Sequence, residues 1–277
     1  MLLLGCGRFL FTDGTSVSVG SFNDGALRHG RALPVKGEGY LIPELWRTRD
    51  ARYGTDELTR AIARAARRVR REYPGAVLGV ADLSRKGGGG SEHHRSHENG
   101  RDADLIFYAV DERDKPVAPA DAMPRYGIDL RARPPAPSKD VVYGPFSPRR
   151  FDVKRNWSLV RALLQDPEIE VQYLFIHEAL RARLLDWARA IDEDPALVDR
   201  ASAIMHQPGD SLPHDDHLHV RVFCAADDRA FGCVDRGPVR WWKKRYKYLP
   251  PSRQEEAAEA VAQLLWTPMI PLRGFIP

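Results

Sequence analysis

The stretch "HDDHLHVRVF", residues 214–223, carries the alternation from which both a fold and a site can be predicted. Read as a strand, it places His217 and His219 on one face and Leu218 and Val220 on the other, because successive strand side chains point to opposite faces. We therefore predict a sheet with one apolar face toward the core and one polar face that carries chemistry.

A second histidine-rich stretch, "HRSHENGRDAD" at residues 94–104, lies far upstream, and the two stretches together hold five of the nine histidines. A strand is predicted over residues 102–110, and Asp102 and Asp104 follow its alternation on the polar side. His97 lies in the loop just before this strand. Its imidazole is therefore expected to fold back onto Asp104.

Nitrogen and oxygen ligands of this kind suit a catalytic zinc ion, which takes three protein ligands and leaves a fourth place for water. His97, Asp104 and one histidine of the later stretch supply such a set. Neither stretch contains cysteine, which argues against a structural zinc site. A Zn²⁺ ion with an open position lowers the pKa of its water and polarises a carbonyl, so the predicted reaction is hydrolysis.

The other polar groups of the two stretches then have predicted roles. Asp102 can accept the second N–H of a ligand imidazole, which orients the ring. His94, His214 and one of the pair His217 and His219 remain to move protons or to stabilise an oxyanion. The competing interpretation is a polar surface, but the joint occurrence of both stretches favours a metal centre.

Length and composition indicate a globular protein of one large or two modest domains. The chain has 277 residues, 43% of them hydrophobic and 29% charged, and no apolar run reaches the length of a membrane span. Strand-like and helix-like segments mix without a regular βαβ alternation. This predicts an α+β fold, a single domain with a central antiparallel sheet flanked by helices. The predicted helices span residues 55–73, 152–166, 178–191 and 252–265.

Charge gives little reason to expect a nucleic-acid partner. The net charge is +4, with 42 Lys and Arg against 38 Asp and Glu. The basic segment at 64–73 is interpreted as a solvated helix face. The segment "RWWKKRYKY" at 240–248 interleaves aromatic and basic residues, and it fits either a wall-polymer surface or a packed C-terminal wrap. The oligomeric state is not predicted.

The three cysteines leave alternatives open. A disulfide between Cys224 and Cys233 would close a short loop and imply an oxidising compartment, whereas two buried thiols are the competing interpretation. Cys6 follows "LLLG" as in the end of a bacterial lipoprotein signal, which would make it a lipid anchor. No basic region precedes it, so either the coding sequence begins upstream or the match is accidental.

The motifs resemble the penicillin-insensitive murein endopeptidases, a family related to lysostaphin-like enzymes, D-Ala-D-Ala carboxypeptidases and the hedgehog domain. The resemblance rests on "SHENGRDAD" and "HDDHLHVR", and on four further segments in the same order: "SVSVGSFNDGAL", "ALPVKGEGYLI", "VADLSRKGGG" and "FDVKRNWSLVRALL". It implies a hedgehog-like fold and a zinc peptidase of the bacterial envelope or periplasm that cuts D-Ala to meso-diaminopimelate cross-links in peptidoglycan.

By this resemblance the zinc ligands are His97, Asp104 and His219. His217 is expected beside the metal-bound water, as base or as electrostatic stabiliser, with His94 and His214 as further site histidines. An envelope location also suits a disulfide and a lipidated Cys6. The alternative is a catalytically silent, hedgehog-like zinc module that binds cell-wall fragments or a protein partner.

The sequence also departs from the family pattern, since Arg101 stands where an apolar residue is usual. The segment at 111–151 lacks periodicity and is predicted to be a long substrate-facing loop or lid. Trp157 is predicted to anchor the core, and His177 to be structural rather than part of the cleft. The predicted organisation is an N-terminal segment at 1–15, a zinc peptidase domain at 16–250, and a C-terminal helix and tail at 251–277.

Overall fold

The structure is a computed structural model that describes residues 13–119, 123–135 and 147–237. The described residues up to Arg236 form one compact unit. The predictions for Cys6, for residues 240–248 and for a helix at 252–265 lie outside the described residues. Within the described ranges, six helices and sixteen strands follow one another along the chain. They are β1 (Val17–Ser21), β2 (Asp24–Arg28), β3 (Arg31–Ala32), β4 (Lys36–Gly37), β5 (Tyr40–Leu41), α1 (Glu44–Arg49), β6 (Tyr53–Gly54), α2 (Asp56–Glu72), β7 (Leu78–Val80), β8 (Asp102–Ile106), β9 (Ala109–Val110), β10 (Pro116–Val117), β11 (Arg125–Tyr126), β12 (Ala132–Arg133), β13 (Arg150–Phe151), α3 (Val153–Leu164), β14 (Val171–Phe175), α4 (Glu178–Ala190), α5 (Pro195–Ile204), β15 (Met205–His206), β16 (His217–Val222) and α6 (Ala226–Ala230).

The main sheet has seven strands in the order β15-β14-β16-β8-β7-β5-β4. The prediction that helices and strands mix in one domain is confirmed, and the predicted central antiparallel sheet is found in part, because the sheet is mixed. Its central strands β14, β16, β8 and β7 are antiparallel, whereas β14 pairs with β15, and β5 with β7, in parallel. Parallel neighbours require a crossover connection, and here α4 and α5 supply one crossover and α1 and α2 the other.

Three predicted helices begin at side chains that cap them. The Thr55 hydroxyl accepts a hydrogen bond from the Leu58 backbone N–H at the start of α2. Asp152 caps α3 in the same way, and the His177 imidazole caps α4. None of the helices in the described ranges is long and apolar enough to cross a membrane.

The helices pack on one another in chain order, α2 against α3, α3 against α4 and α4 against α5. Trp157 on α3 is 1% exposed and donates its indole N–H to Glu193 at 2.9 Å. The prediction of a core anchor is therefore correct. In the central strands, Leu105 and Val220 are fully buried on the apolar face, as the alternation predicts.

The segment at 111–151 has more structure than predicted in its described parts. β9 pairs with β10 and β13, and β11 pairs with β12. Tyr126 and Phe151 are buried, and both rings contact Phe107 edge-on. Strands of two residues are too short to produce a periodic sequence pattern, which explains why they were not predicted.

Candidate metal centre

The centre lies where β8 and β16 pair in the middle of the main sheet. Their antiparallel register sets His219 opposite Asp104 and Arg221 opposite Asp102. Opposite residues share one face of a sheet, so the polar positions of both strands point the same way. The two histidine-rich stretches, far apart in sequence, are thereby brought together.

His97 reaches this face from the loop that precedes β8. Its backbone adopts a φ of 71°, in the left-handed region that is uncommon for residues other than glycine. The ring is 2% exposed, and its Nδ1 lies 3.0 Å from the carbonyl oxygen of Leu83. Nδ1 is therefore the protonated nitrogen. The Nε2 lone pair is left 3.4 Å from Oδ1 of Asp104.

His219 lies on β16, beside the carboxylate of Asp104, and is oriented by Asp102. Its Nε2 lies 2.8 Å from Oδ1 of Asp102 and its Nδ1 lies 3.0 Å from Oδ1 of Asp104. With the Nε2 proton donated to Asp102, the Nδ1 lone pair faces Asp104. The rings of His97 and His219 meet edge-on at 4.8 Å.

These three groups fit a divalent cation. Within the described ranges, His97 Nε2 and Asp104 Oδ1 are buried without a hydrogen-bond partner. Lone pairs that face one another in a buried place are costly unless a proton or a cation lies between them. Two imidazole nitrogens and a carboxylate oxygen form a typical set of metal ligands.

Other side chains extend the same cluster. Potential ligand atoms lie within 4.8 Å of one another in two groups, His94 with His97 and Asp104, and His214 with His217 and His219. Together these groups include all six side chains that the sequence predicted as ligands or catalytic histidines. The structure brings every one of them to a single face of the sheet.

Asp102 and Asp104 are both ionised despite complete burial. Burial alone would raise the pKa of Asp102, but the charge of Arg221 and the hydrogen bond from His219 outweigh it and lower that pKa strongly. The pKa of Asp104 is also well below its usual range, because His217 and His97 oppose the effect of burial. The ionised Asp104 carboxylate therefore faces the imidazole nitrogens of His97 and His219, an arrangement that favours a bound cation.

His214 and His217 have pKa values shifted in opposite directions. Burial, with His217 and His219 nearby, lowers the pKa of His214 to about 3. For His217, burial would lower the pKa, but Asp104 and Asp216 outweigh it and raise the value to about 9. Neutral and cationic imidazoles therefore stand side by side, with ring centres 5.1 Å apart. A divalent cation on Asp104 would remove part of the attraction that raises the pKa of His217.

Two carboxylates that the sequence analysis did not single out orient histidines of the site: Asp216 orients His217, and Asp82 orients His94. Asp216 Oδ1 lies 2.6 Å from Nδ1 of His217, which turns Nε2 toward Asp104 at 3.4 Å. Asp82 Oδ2 lies 2.8 Å from Nε2 of His94. Asp216 could have been found from its place beside His217, whereas Asp82 follows a buried strand and carries no distinguishing signal.

The loop that carries His97 is held by the β1–β2 hairpin and by a glycine. The Glu98 N–H donates to the carbonyl oxygen of Phe22 in the hairpin turn at 3.1 Å. Gly88 has a φ of 71°, and a Cβ there would overlap the carbonyl oxygen of Glu98. Gly88 therefore allows the glycine-rich segment to lie close against this loop.

Arg221 links the hairpin to the centre. Its guanidinium lies 3.5 Å from the ring centre of Phe22 and 5.4 Å from that of Phe175, and its Nε donates to Asp102 at 2.6 Å. The side chain is 4% exposed. Two aromatic rings and a carboxylate thus fix the guanidinium of Arg221 behind His219.

The disulfide between Cys224 and Cys233 is present, with a Cα–Cα distance of 6.0 Å. This decides between the two interpretations of these cysteines. Arg101, the departure from the family pattern, is fully buried beside this loop and donates to the carbonyl oxygens of Val222 and Val234 and to Asp235. Its long side chain therefore ties the end of β16 to the segment after the disulfide.

Two more predictions can be compared with the structure. His177 begins α4 and its Nδ1 accepts from the Ala179 N–H at 3.3 Å, a structural role as predicted. The described part of the 111–151 segment reaches the site through Arg125, which bonds both carboxylate oxygens of Asp215. Asp215 adjoins His214, so this part of the segment borders the centre. Its function as a lid stays a prediction.

A mixed α/β domain that directs two imidazoles and a carboxylate at one point is typical of metal-dependent hydrolases. Comparison with known proteins agrees with the motifs, because residues 18–243 match the family described as penicillin-insensitive murein endopeptidase. The chain belongs to this family.

Similar proteins include the penicillin-insensitive murein endopeptidase of Haemophilus influenzae (strain ATCC 51907 / DSM 11121 / KW20 / Rd). It is 28% identical over 233 residues, which cover 82% of this chain and 70% of that protein. Proteins of the same name from Escherichia coli O1:K1 / APEC and Escherichia coli strain SMS-3-5 are 28% identical over 232 residues, or 80% of this chain and 71% of theirs.

Proposed function

We propose that this chain is a zinc-dependent murein endopeptidase that hydrolyses the D-Ala to meso-diaminopimelate cross-links of peptidoglycan. Membership of the family and the names of the relatives support a peptidase that acts on murein. The identity of the metal as zinc and the identity of the bond that is cut go beyond these names and are what we propose.

One observation carries it: the nitrogens of two oriented imidazoles lie within 3.4 Å of the same carboxylate oxygen, that of Asp104. We assign His97, Asp104 and His219 as the ligands of a Zn²⁺ ion, with Asp102 orienting His219. A zinc ion held there would supply a Lewis acid for the scissile carbonyl and acidify a water molecule. The N₂O ligand set, without cysteine, is that of catalytic rather than structural zinc.

Peptide hydrolysis takes one proton from the attacking water and delivers one to the leaving amine. His214 is neutral and binds a proton only weakly, so it would pass a proton on rather than keep it, whereas His217 can hold one at Nε2 while Asp216 fixes its Nδ1. His217 then suits stabilisation of the carbonyl oxyanion and donation to the amine. His94, held by Asp82 on the other side of His97, is the third proton-transfer group.

The alternative, a silent zinc module that binds wall fragments or a protein partner, would use the same three ligands. It would have no need of proton-transfer groups held by their own carboxylates. The pairs Asp82–His94 and Asp216–His217 support turnover instead.

The test is the variant His219→Ala, with His93→Ala as matched control, since His93 is an exposed histidine of the same region. Purified sacculi are digested with each protein, and the muropeptides are separated by chromatography and identified by mass spectrometry. We expect wild type and control to convert cross-linked dimers to monomers with a free D-Ala carboxyl group, and to carry one equivalent of zinc. His219→Ala should lose both properties. Cleavage by His219→Ala at the wild-type rate would reject the assignment.

We place the protein in the periplasm or associated with the envelope, where this substrate lies and where a disulfide is maintained. Residues 16–250 are proposed as the peptidase domain, which includes the family match at 18–243. A lipid on Cys6 is proposed as its attachment, and mass spectrometry of the protein isolated from membranes would reveal the acyl groups.

A further inference from the structure

A buried carboxylate outside the proposed ligand set, that of Asp82, holds the ring of His94. One oxygen, Oδ2, lies 2.8 Å from Nε2 of His94 and 2.8 Å from Nη1 of Arg49. Asp82 is 1% exposed, so water does not compete for these interactions. The other oxygen, Oδ1, is buried without a partner in the described part of the chain. A buried carboxylate oxygen without a hydrogen-bond partner destabilises a fold, so its presence calls for a functional explanation.

The backbone fixes Asp82 relative to the centre. The Ala81 N–H donates to the carbonyl oxygen of Asp104, and the Asp104 N–H donates to that of Asp82, both at 2.9 Å. Two residues beyond the end of β7 therefore oppose one residue of β8, the pattern of a β-bulge, which re-aims side chains. His94, in contrast, lies in a segment without helix or strand.

The orientation of His94 follows from these contacts. Because Nε2 gives its proton to Asp82, Nδ1 is turned to the centre, where it lies 3.8 Å from Oδ2 of Asp104. The ring centre is 4.4 Å from that of His97. Arg49, stacked at 4.4 Å on Trp46, balances the charge of Asp82 from the far side.

We infer that Asp82 is a positioning residue that fixes one tautomer and one orientation of His94, so that Nδ1 faces the reacting groups. This inference rests on the proposed function, in which His94 transfers a proton. A carboxylate that holds a catalytic imidazole in this way acts through the histidine and does not touch the substrate.

The experiment is a double-mutant cycle with the variants Asp82→Asn and His94→Gln and the pair combined. Asparagine keeps the volume of Asp82 but lacks its charge and can offer an N–H to the ring instead of an oxygen. We expect Asp82→Asn to lower kcat by about 10- to 100-fold, the usual cost of losing a carboxylate behind a site histidine, and to change KM by less than about threefold. In the His94→Gln background the same change should cost less than about twofold, because the residue through which Asp82 acts is gone.

A spectroscopic reading accompanies the kinetics. The ¹⁵N shifts of His94 in labelled wild-type protein should show a single tautomer protonated at Nε2, and Asp82→Asn should show both tautomers or the other one. Zinc content should stay at one equivalent, and His93→Gln should match wild type in all measurements.

Equal losses of kcat with and without His94, an unchanged tautomer, or loss of zinc from Asp82→Asn would each overturn the inference. If the wild-type protein does not cleave sacculi, the proposed function fails. The ¹⁵N comparison still decides in that case whether Asp82 sets the tautomer of His94.

Discussion

Replacing Asp102 by asparagine is expected to weaken both the fold and the metal centre, and the two losses can be measured separately. The carboxylate is fully buried and accepts hydrogen bonds from His219 at 2.8 Å and from Arg221 at 2.6 Å. Its negative charge therefore stabilises a buried guanidinium on one side and a proposed zinc ligand on the other. Asparagine keeps the shape and removes that charge.

The magnitudes follow from these contacts. Removing one partner of a buried ion pair costs about 3–5 kcal/mol, and because an amide oxygen in the place of Oδ1 can still accept both hydrogen bonds we expect a loss of about 3 kcal/mol in the free energy of unfolding. Loss of a carboxylate behind a metal-binding histidine raises the Kd for the metal about 10- to 100-fold, or about 1.4–2.7 kcal/mol. Urea unfolding of the zinc-free protein measures the first effect. Competition with a chelator of known affinity measures the second.

The double variant Asp102→Asn with Arg221→Met separates the two effects. Methionine removes the unpaired charge and still packs between Phe22 and Phe175, so stability should recover in part. Zinc affinity should stay low, because His219 still lacks its carboxylate. Recovery of zinc affinity together with stability, or an unchanged Kd in Asp102→Asn, would refute this reasoning.

Further predictions concern removal of the metal, the pH dependence of stability, the disulfide and the packing of Trp157. Treatment with 1,10-phenanthroline should abolish cleavage of sacculi and lower the Tm, and added Zn²⁺ should restore both; activity that persists in the metal-free protein would contradict a metal mechanism. Burial raises the pKa of Asp228 from 3.8 to about 6, so its contribution to stability is complete below pH 4 and is lost as the pH rises through 6. Asp228→Asn should therefore stabilise the protein at pH 8 by up to about 3 kcal/mol and by nothing near pH 4, as urea unfolding at both pH values would show; an equal gain at both is the contrary result. The double serine variant of Cys224 and Cys233 should unfold with about 2–3 kcal/mol less stability, since the disulfide closes a short loop of sequence separation 9, and an unchanged urea midpoint would contradict it. Trp157→Phe should cost about 1–2 kcal/mol in the same assay because Glu193 loses the indole N–H, and the near-neutral control is Trp187→Phe on α4.

The sequence was most informative where the period of the side chains and the polarity coincide. The alternation in 217–223 predicts the strand β16, and that in 102–110 predicts one strand where the structure has β8 followed by the short β9. Three helices were predicted close to their observed bounds, and for the first of them the capping residue, Thr55, was predicted as well. In each case a local signal, a capping side chain or an alternating face, is enough to specify the element.

The features that could not be predicted depend on tertiary contacts. The register that sets His219 opposite Asp104 comes from the packing of the whole sheet, and the parallel pairing of β15 depends on the path of the crossover helices. Nothing in "VADL" distinguishes Asp82 from any other aspartate after a buried strand. Its partner His94 is identified only when the fold brings the two together.

Arg101 illustrates a departure that the fold accommodates. At sequence level, a charged residue where the family usually has an apolar one leaves the predicted metal chemistry unchanged but leaves the preferred cross-link open. In the structure it donates to two carbonyl oxygens and to Asp235, and so provides hydrogen bonds to acceptors at and beyond the end of β16. Arg101 therefore ties the end of β16 to the segment that follows the disulfide.

The direct pairing of His219 with Asp104 makes activity conditional on correct folding. A slip of one residue between β8 and β16 would turn one set of the proposed ligands to the opposite side of the sheet, and the two strands could then not hold one cation together. An enzyme able to damage the wall of its own cell would therefore be inert while unfolded or misfolded. The same pairing that completes the sheet would also complete the proposed set of ligands.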